Sequence, residues 1–234
     1  KEGATHYDFI EALDPAQMEG RELRRTAIEL REVEGAVQIV ASRKEVKPRQ
    51  GPGMAGAIVF DAMKAAEGLA TIYTRSYDRN RPAAFINIRQ KSAQIAFIRH
   101  GDVMITRNVT NTGDWNVFLQ NVQQVLNDSL NLYSSVEGKQ EIYDVYLSGE
   151  SELIPPVYEV VRKQPKLRNL RFNHLRADNL PLTRLSGAGN PVTFSEVAPE
   201  IGYALRNWDN ARKARSSSAA SHAKAPISGL IDTH

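Results

Sequence analysis

The chain has 234 residues and a mass of 26.1 kDa. Hydrophobic residues make up 41% and charged residues 24%, with 30 basic against 27 acidic side chains, a net charge of +3 and no cysteine. This excludes collagen, an all-disordered chain, disulfides, thiolate metal centres and cysteine nucleophiles, and an excess of three positive charges is too small to argue for nucleic acid.

The most apolar runs, Ala57–Phe60 and Ala83–Ile88, are strand-sized and far short of the ~20 residues a membrane-spanning helix needs. Lys1–Leu13 lacks the apolar centre of a secretory signal. A soluble, cytoplasmic chain of one large or two small domains is therefore expected.

In chain order, Tyr7–Leu13 reads as a strand, and Thr26–Val33 with Ala36–Ala41 as a hairpin closed by Glu34-Gly35. Ser42-Arg43-Lys44-Glu45 has capping-box spacing and predicts a helix start, broken early by Pro48, Pro52 and the glycines 51, 53 and 56. Ala57–Asp61 predicts a strand leading into a helix over Ala62–Leu69. Ala83–Gln90, Ala93–Arg99 and Val103–Val109 predict three strands, separated by turns at Lys91-Ser92 and His100-Gly101-Asp102. Asp114 caps a helix whose Trp115, Phe118, Leu119, Val122, Val125, Leu126, Leu130 and Leu132 recur at three- to four-residue spacing. Ile142–Leu147 predicts a strand ending at Ser148-Gly149-Glu150-Ser151, and Pro155-Pro156 suits the first turn of a helix through Val157–Lys163. Leu167–Phe172 predicts a further strand, and Ser195 caps a last helix, Glu196–Arg206. No internal repeat is visible.

Three antiparallel strands followed by strand–helix alternation imply a mixed sheet flanked by helices, because crossover helices make the later strands parallel. The β-β-β-α-β-α-β-α order is that of the ribonuclease H-like fold, repeated in the actin and sugar-kinase superfamily. Three units are expected: a partial αβ first lobe or subdomain over 1–82, a ribonuclease H-like second lobe over 83–208, and a tail over 209–234. The tail carries only Ile227, Leu230 and Ile231 as sizeable apolar residues. It is expected to be flexible, or to dock on a neighbour through Ile227–Ile231.

Several segments, taken in order, resemble the PilM family of actin-like proteins of type IV pilus assembly. Ala41–Val46 is similar to the family's Ala-Ser-Arg-x-x-Val helix start, and Val59-Phe60-Asp61 before Ala62–Tyr73 to its strand before an alanine-rich helix. Phe85–Val109, with the Gly101 turn and Arg107, is similar to the hairpin carrying its second phosphate loop. Leu147–Pro155 is similar to its adenosine loop and Glu196–Arg206 to its last helix. The resemblance covers about residues 40–208. Nothing before residue 40 matches the family's first Asp-x-Gly phosphate loop, and a two-lobed actin-like protein runs to roughly 300–350 residues. The first lobe is accordingly expected to be incomplete.

The resemblance implies an actin-like ATPase fold with ATP and magnesium as cofactors, and Ser92, Ser148, Gly149 and Ser151 as nucleotide-binding residues. Departures from the family pattern point to weak or absent binding. Asn87-Ile88-Arg89 stands where the family has Asp-Ile-Gly, which removes a carboxylate that helps hold magnesium and blocks close approach of backbone to phosphate. Arg89 could meet a phosphate through its guanidinium instead, or the loop is degenerate. Glu150, in place of a second glycine, would repel a phosphate. No histidine has metal-type partner spacing, and no nucleophile elbow, Walker loop or zinc-protease motif is present, so no catalytic or metal residue is assigned.

Arg162, Lys163, Lys166, Arg168 and Arg171 form a basic run, read as a solvated surface or one facing an acidic partner or anionic lipid. The expected function is a non-enzymatic scaffold of a type IV pilus or related secretion assembly. It would lie peripherally on the cytoplasmic face of the inner membrane and bind an N-terminal cytoplasmic peptide of a membrane partner, with homo-oligomerisation left open and no nucleic acid. The alternatives are an ATP-binding enzyme of the actin and sugar-kinase superfamily, or the actin-like cytoplasmic domain of a type II secretion L-type protein.

Overall fold

A computed structural model describes residues 3–12, 23–46, 56–77, 80–137, 141–176, 180–187 and 192–222. Strands β1 (Thr5–Ala12), β2 (Leu23–Val33) and β3 (Ala36–Val46) form an antiparallel meander. The β2–β3 turn places Glu34 at φ 51° and Gly35 at φ 80°, the left-handed pair that a tight hairpin requires. The short β4 (Ile58–Val59) pairs parallel with β1 and leads into helix α1 (Ala62–Ser76), whose first turn is capped by Asp61.

The second sheet repeats this plan. Strands β5 (Ala83–Ile88), β6 (Ser92–Arg99) and β7 (Asp102–Thr110) form the expected meander, and the β6–β7 turn again pairs two positive φ angles, 54° at His100 and 92° at Gly101. Helix α2 (Trp115–Glu137) follows, with Asp114 accepting the backbone N–H groups of Asn116 and Val117. Strand β8 (Asp144–Gly149) then lies parallel to β5, helix α3 spans Ile154–Arg162, and β9 (Arg171–His174) lies parallel to β8. The sheet order is β7-β6-β5-β8-β9, the mixed ribonuclease H-like arrangement expected from the strand–helix order.

Strand β10 (Leu182–Gly187) returns to the first sheet and pairs parallel with β3, giving the order β10-β3-β2-β1-β4. Helix α4 (Phe194–His222) packs beside α1 between the two sheets. One core joins the inner face of the first sheet (Phe9, Ile28, Leu30, Ile39) to both helices and to Phe85, Ala96 and Ile98 of the second sheet. A second core lies on the far face of that sheet, where Ile86, Ile95 and Phe97 meet α2 and α3. Burial on both faces explains why β5 reads as an apolar run broken only by Asn87.

Helices α1 and α4 touch backbone to backbone. A Cβ on Gly68 would lie 1.9 Å from the Pro199 carbonyl oxygen, and one on Gly202 would lie 2.0 Å from the Gly68 carbonyl oxygen. Glycine at both positions lets the crossing close to this distance.

Three local expectations are corrected. Ser42–Glu45 continues strand β3 and starts no helix, because Arg43 alternates inward in phase with Ile39 and Ala41, and tertiary pairing outweighs the capping signal. The strand expected over Leu167–Phe172 starts later, at Arg171, because Pro165–Leu167 forms a 3-10 turn that buries Leu167. Ser195 lies inside α4, where Thr193 hydrogen-bonds to the Glu196 carboxylate at the helix entry. Within residues 83–208, β10 and α4 return to the first sheet.

Residues 209–222 of the expected flexible tail are the continuation of α4. An alanine- and arginine-rich stretch propagates cheaply from a helix already nucleated by packing. Arg75 pairs with Asp209, and Arg212 reaches Glu32 at 3.5 Å, tying the extension to α1 and β2. Ile227–Ile231 lies outside the described residues.

Candidate functional site

The carboxyl end of β1, the adjoining ends of β2 and β3, the β5–β6 turn and the end of β8 meet α4 at one cleft. Each contributes a charged side chain. Arg89, in the β5–β6 turn, places its guanidinium 2.9 Å from the Glu11 carboxylate and 3.2 Å from that of Glu200. Arg43 on β3 donates to Glu200 at 2.8 Å and to the Glu196 carbonyl at 2.7 Å, and lies 3.8 Å from Glu11. Arg24 on β2 spans the cleft to Glu150, just past β8, at 2.8 Å. Three guanidiniums thus face three carboxylates, and Arg43, Arg89 and Glu200 are 8%, 6% and 1% exposed.

Charges so deeply buried persist only because each is paired. Burial alone would push the Glu200 carboxyl up, but the charges of Arg43 and Arg89 and a hydrogen bond from Arg89 hold it below its usual 4.5. Burial likewise opposes the Arg89 charge, yet Glu11 and Glu200 raise its pKa above the ordinary arginine value. Burial and the neighbouring Arg89 charge lower Arg43 to about 10, which leaves it cationic at neutral pH.

The sign of one pH effect follows. Because folding lowers the Glu200 pKa, its pairing contributes fully above the unfolded value of 4.5 and is lost as the pH falls through the folded value. Melting temperatures measured between about pH 7 and pH 3 are expected to fall more steeply for the native chain than for Glu200→Gln. Parallel profiles would remove Glu200 from the acid response.

A cavity of about 440 Å³ opens beside this network, lined among others by Arg24, Asn87, Arg89, Lys91, Ser92 and Glu150. Of the four residues expected to bind nucleotide, Ser92 lines it. Its N–H donates to the Arg89 carbonyl, and its own carbonyl accepts from Arg89, closing the β5–β6 turn. Ser148 is fully buried with its hydroxyl 3.4 Å from the Asn87 carboxamide oxygen. Gly149, at φ 108°, lets the end of β8 pass the backbone of Ile88, where a Cβ would sit 1.9 Å from the Ile88 oxygen. Ser151 faces a second cavity, of about 370 Å³, and meets Thr193 at 3.0 Å. The four therefore do not surround one cavity.

The residues present do not fit a magnesium nucleotide. Asn87 offers no carboxylate, the Arg89 guanidinium is spent on Glu11 and Glu200, and Glu150 presents a negative charge at the mouth. Among the described residues, no group of three or more histidine or acidic side chains could hold a metal ion.

The basic run spreads over the end of α3, the following turn and β9. Arg162 sits 3.4 Å from Glu159 and over the Tyr158 ring, while Arg171 pairs with Asp144 at 2.8 Å. Lys163 and Arg168 are exposed. The Lys166 side chain lies outside the described residues. Among the described residues no helix is long and apolar enough to cross a membrane.

Sequence reading had picked out Arg89 and Glu150 in this cleft but missed Glu11, Arg24, Arg43 and Glu200. Their signal is a charged residue in an apolar phase. Arg43 shares the inward alternation of Ile39 and Ala41, and Glu200 lies on the face of Val197, Ile201 and Ala204.

No family model matches the sequence, and no curated protein matches it. Among solved structures, the chain is similar to a Bacteroides thetaiotaomicron protein with an actin-like ATPase fold and unknown function, at 11% identity and a TM-score of 0.35, over 62% of this chain and 46% of that one. It therefore spans less than half the length of that protein. It is also similar to the PilM-PilN type IV pilus biogenesis complex, at 12% identity and a TM-score of 0.42, over 86% of this chain and 74% of that one. A third similarity is to the ethanolamine utilization protein EutJ from Carboxydothermus hydrogenoformans, at 11% identity and a TM-score of 0.38, over 84% of this chain and 89% of that one. These likenesses concern the fold alone.

Proposed function

We propose that this chain is a non-enzymatic scaffold whose cleft has exchanged nucleotide chemistry for an internal charge network. The observation that carries the reading is the pairing of Arg89 with Glu11 and Glu200, which commits the turn facing the cleft to holding the protein together. The motif order shared with the PilM family supports an assembly role in a type IV pilus or related secretion machine. In that role the chain lies peripherally on the cytoplasmic face of the inner membrane and binds a cytoplasmic peptide of a membrane partner. Val59, 66% exposed, supplies an apolar edge on the cavity wall suited to a short peptide.

The test pairs two measurements on the full chain. Fluorescence anisotropy with N-terminal cytoplasmic peptides of pilus inner-membrane assembly proteins is expected to show saturable binding that Val59→Asp weakens. Calorimetry with millimolar magnesium-ATP is expected to show no binding. Brisk ATP turnover, with no peptide bound, would overturn the scaffold reading in favour of an enzyme of the actin and sugar-kinase superfamily.

A further inference from the structure

Glu150 stands immediately before the 3-10 turn Ser151–Leu153 that leads into α3, the position from which a side chain normally caps a helix. Its carboxylate makes no such hydrogen bond. The backbone is held in place, with Gly149 at φ 108° and the Glu150 N–H donating to the Ile88 carbonyl at 2.8 Å. The side chain instead crosses the mouth of the cleft to Arg24, a residue 126 positions earlier and on the other sheet. Both side chains line the 440 Å³ cavity and retain some exposure, 12% for Arg24 and 15% for Glu150.

Charge counting shows what Glu150 does there. Arg43 and Arg89 are balanced by Glu11 and Glu200, so Arg24 and Glu150 form the remaining pair. Without Glu150 the cluster holds three guanidiniums against two carboxylates, with the exposed Lys91 also on the cavity wall. Glu11 and Glu45 flank Arg24 in the strand register, but Glu11 is already shared by Arg43 and Arg89 and Glu45 is exposed, while Asp61, also exposed, is engaged by Lys64. An uncompensated guanidinium at the mouth of a polar cavity is a strong oxyanion receptor.

We propose that Glu150 is a built-in occupant of the cleft, a tethered carboxylate that keeps Arg24 from binding a free anion. The cleft is self-blocked by this contact, and the ligand class it excludes is a small phosphate-type oxyanion. The inference goes beyond the scaffold reading and does not depend on any peptide partner: failure of the anion test leaves peptide binding untouched.

Inorganic pyrophosphate is the probe, titrated calorimetrically into the full chain at low salt. Glu150→Gln, which keeps the side-chain shape and removes its charge, is expected to bind pyrophosphate roughly 10- to 100-fold more tightly than the native chain. Glu150→Ala is expected to show the same gain. The double variant Glu150→Gln/Arg24→Gln is expected to return to the native affinity. No gain in either single variant overturns the proposal, as does a gain that survives loss of Arg24, which would place the anion elsewhere. Failure of both single variants to fold, read by circular dichroism, overturns it too, since Glu150 would then be a structural pairing and not a removable occupant.

Discussion

Replacing Gly68 with alanine is expected to lower stability by about 3 kcal/mol or more and the melting temperature by roughly 6–12 °C. Two effects compete. Alanine favours a helix over glycine by about 1 kcal/mol, which on an exposed helix would raise stability. Here the new methyl carbon meets the Pro199 carbonyl oxygen at 1.9 Å and the Tyr203 nitrogen at 3.0 Å, both main-chain atoms that cannot rotate away. The helices could part only by moving against the sheets, because α1 and α4 are packed between the two sheets in one continuous core. Interiors packed to near-crystalline density transmit such a shift and do not absorb it. Thermal unfolding followed by circular dichroism decides: an unchanged or higher melting temperature would show that the crossing yields.

The second large effect concerns the buried charges. Arg89→Met leaves Glu200 with Arg43 alone and Glu11 with a partner 3.8 Å away. Removing one partner of a buried pair typically costs about 3–5 kcal/mol, because the stranded charge keeps its desolvation penalty and loses its compensation. Glu200→Met is expected to cost a similar amount by leaving Arg43 and Arg89 facing each other. The double variant Arg89→Met/Glu200→Met is expected to cost much less than the sum, since Glu11 and Arg43 remain as a balanced pair and two apolar chains fill the space. Urea midpoints of the three variants give the coupling directly. Additive losses would mean that the residues act independently and that the cleft is no network.

The second sheet was legible from sequence because its signals are local. Alternation and a buried apolar run marked β5, β6 and β7, glycine marked the turn at Gly101, and the cap at Asp114 set the start of α2. What escaped was set by distant partners. Leu182–Gly187 carries a weak strand pattern and becomes β10 because the edge of β3 is free to pair with it. The expected helix over Ser42–Glu45 failed for the same reason: a capping box is a local preference, and here it was outweighed by Arg43 reaching Glu200, 157 residues further on. The cleft was half legible. Arg89 and Glu150 stood out as departures from the resembled pattern, and Arg43 and Glu200 carry a signal in their apolar phase, whereas Glu11 and Arg24 mean nothing until the strands bring them together.

The placement of β10 also sets an order of assembly during synthesis. Every strand of the second sheet lies between residues 83 and 174, so that sheet can pair as soon as its own segment has emerged. The first sheet begins the chain yet receives its outer strand only after residue 187, and its covering helix later still. Until then β3 presents an open edge of unpaired amides, a template for the wrong strand. A pause that exposes residue 174 but not residue 182 would therefore hold the nascent chain with its later sheet paired and its first sheet unsealed.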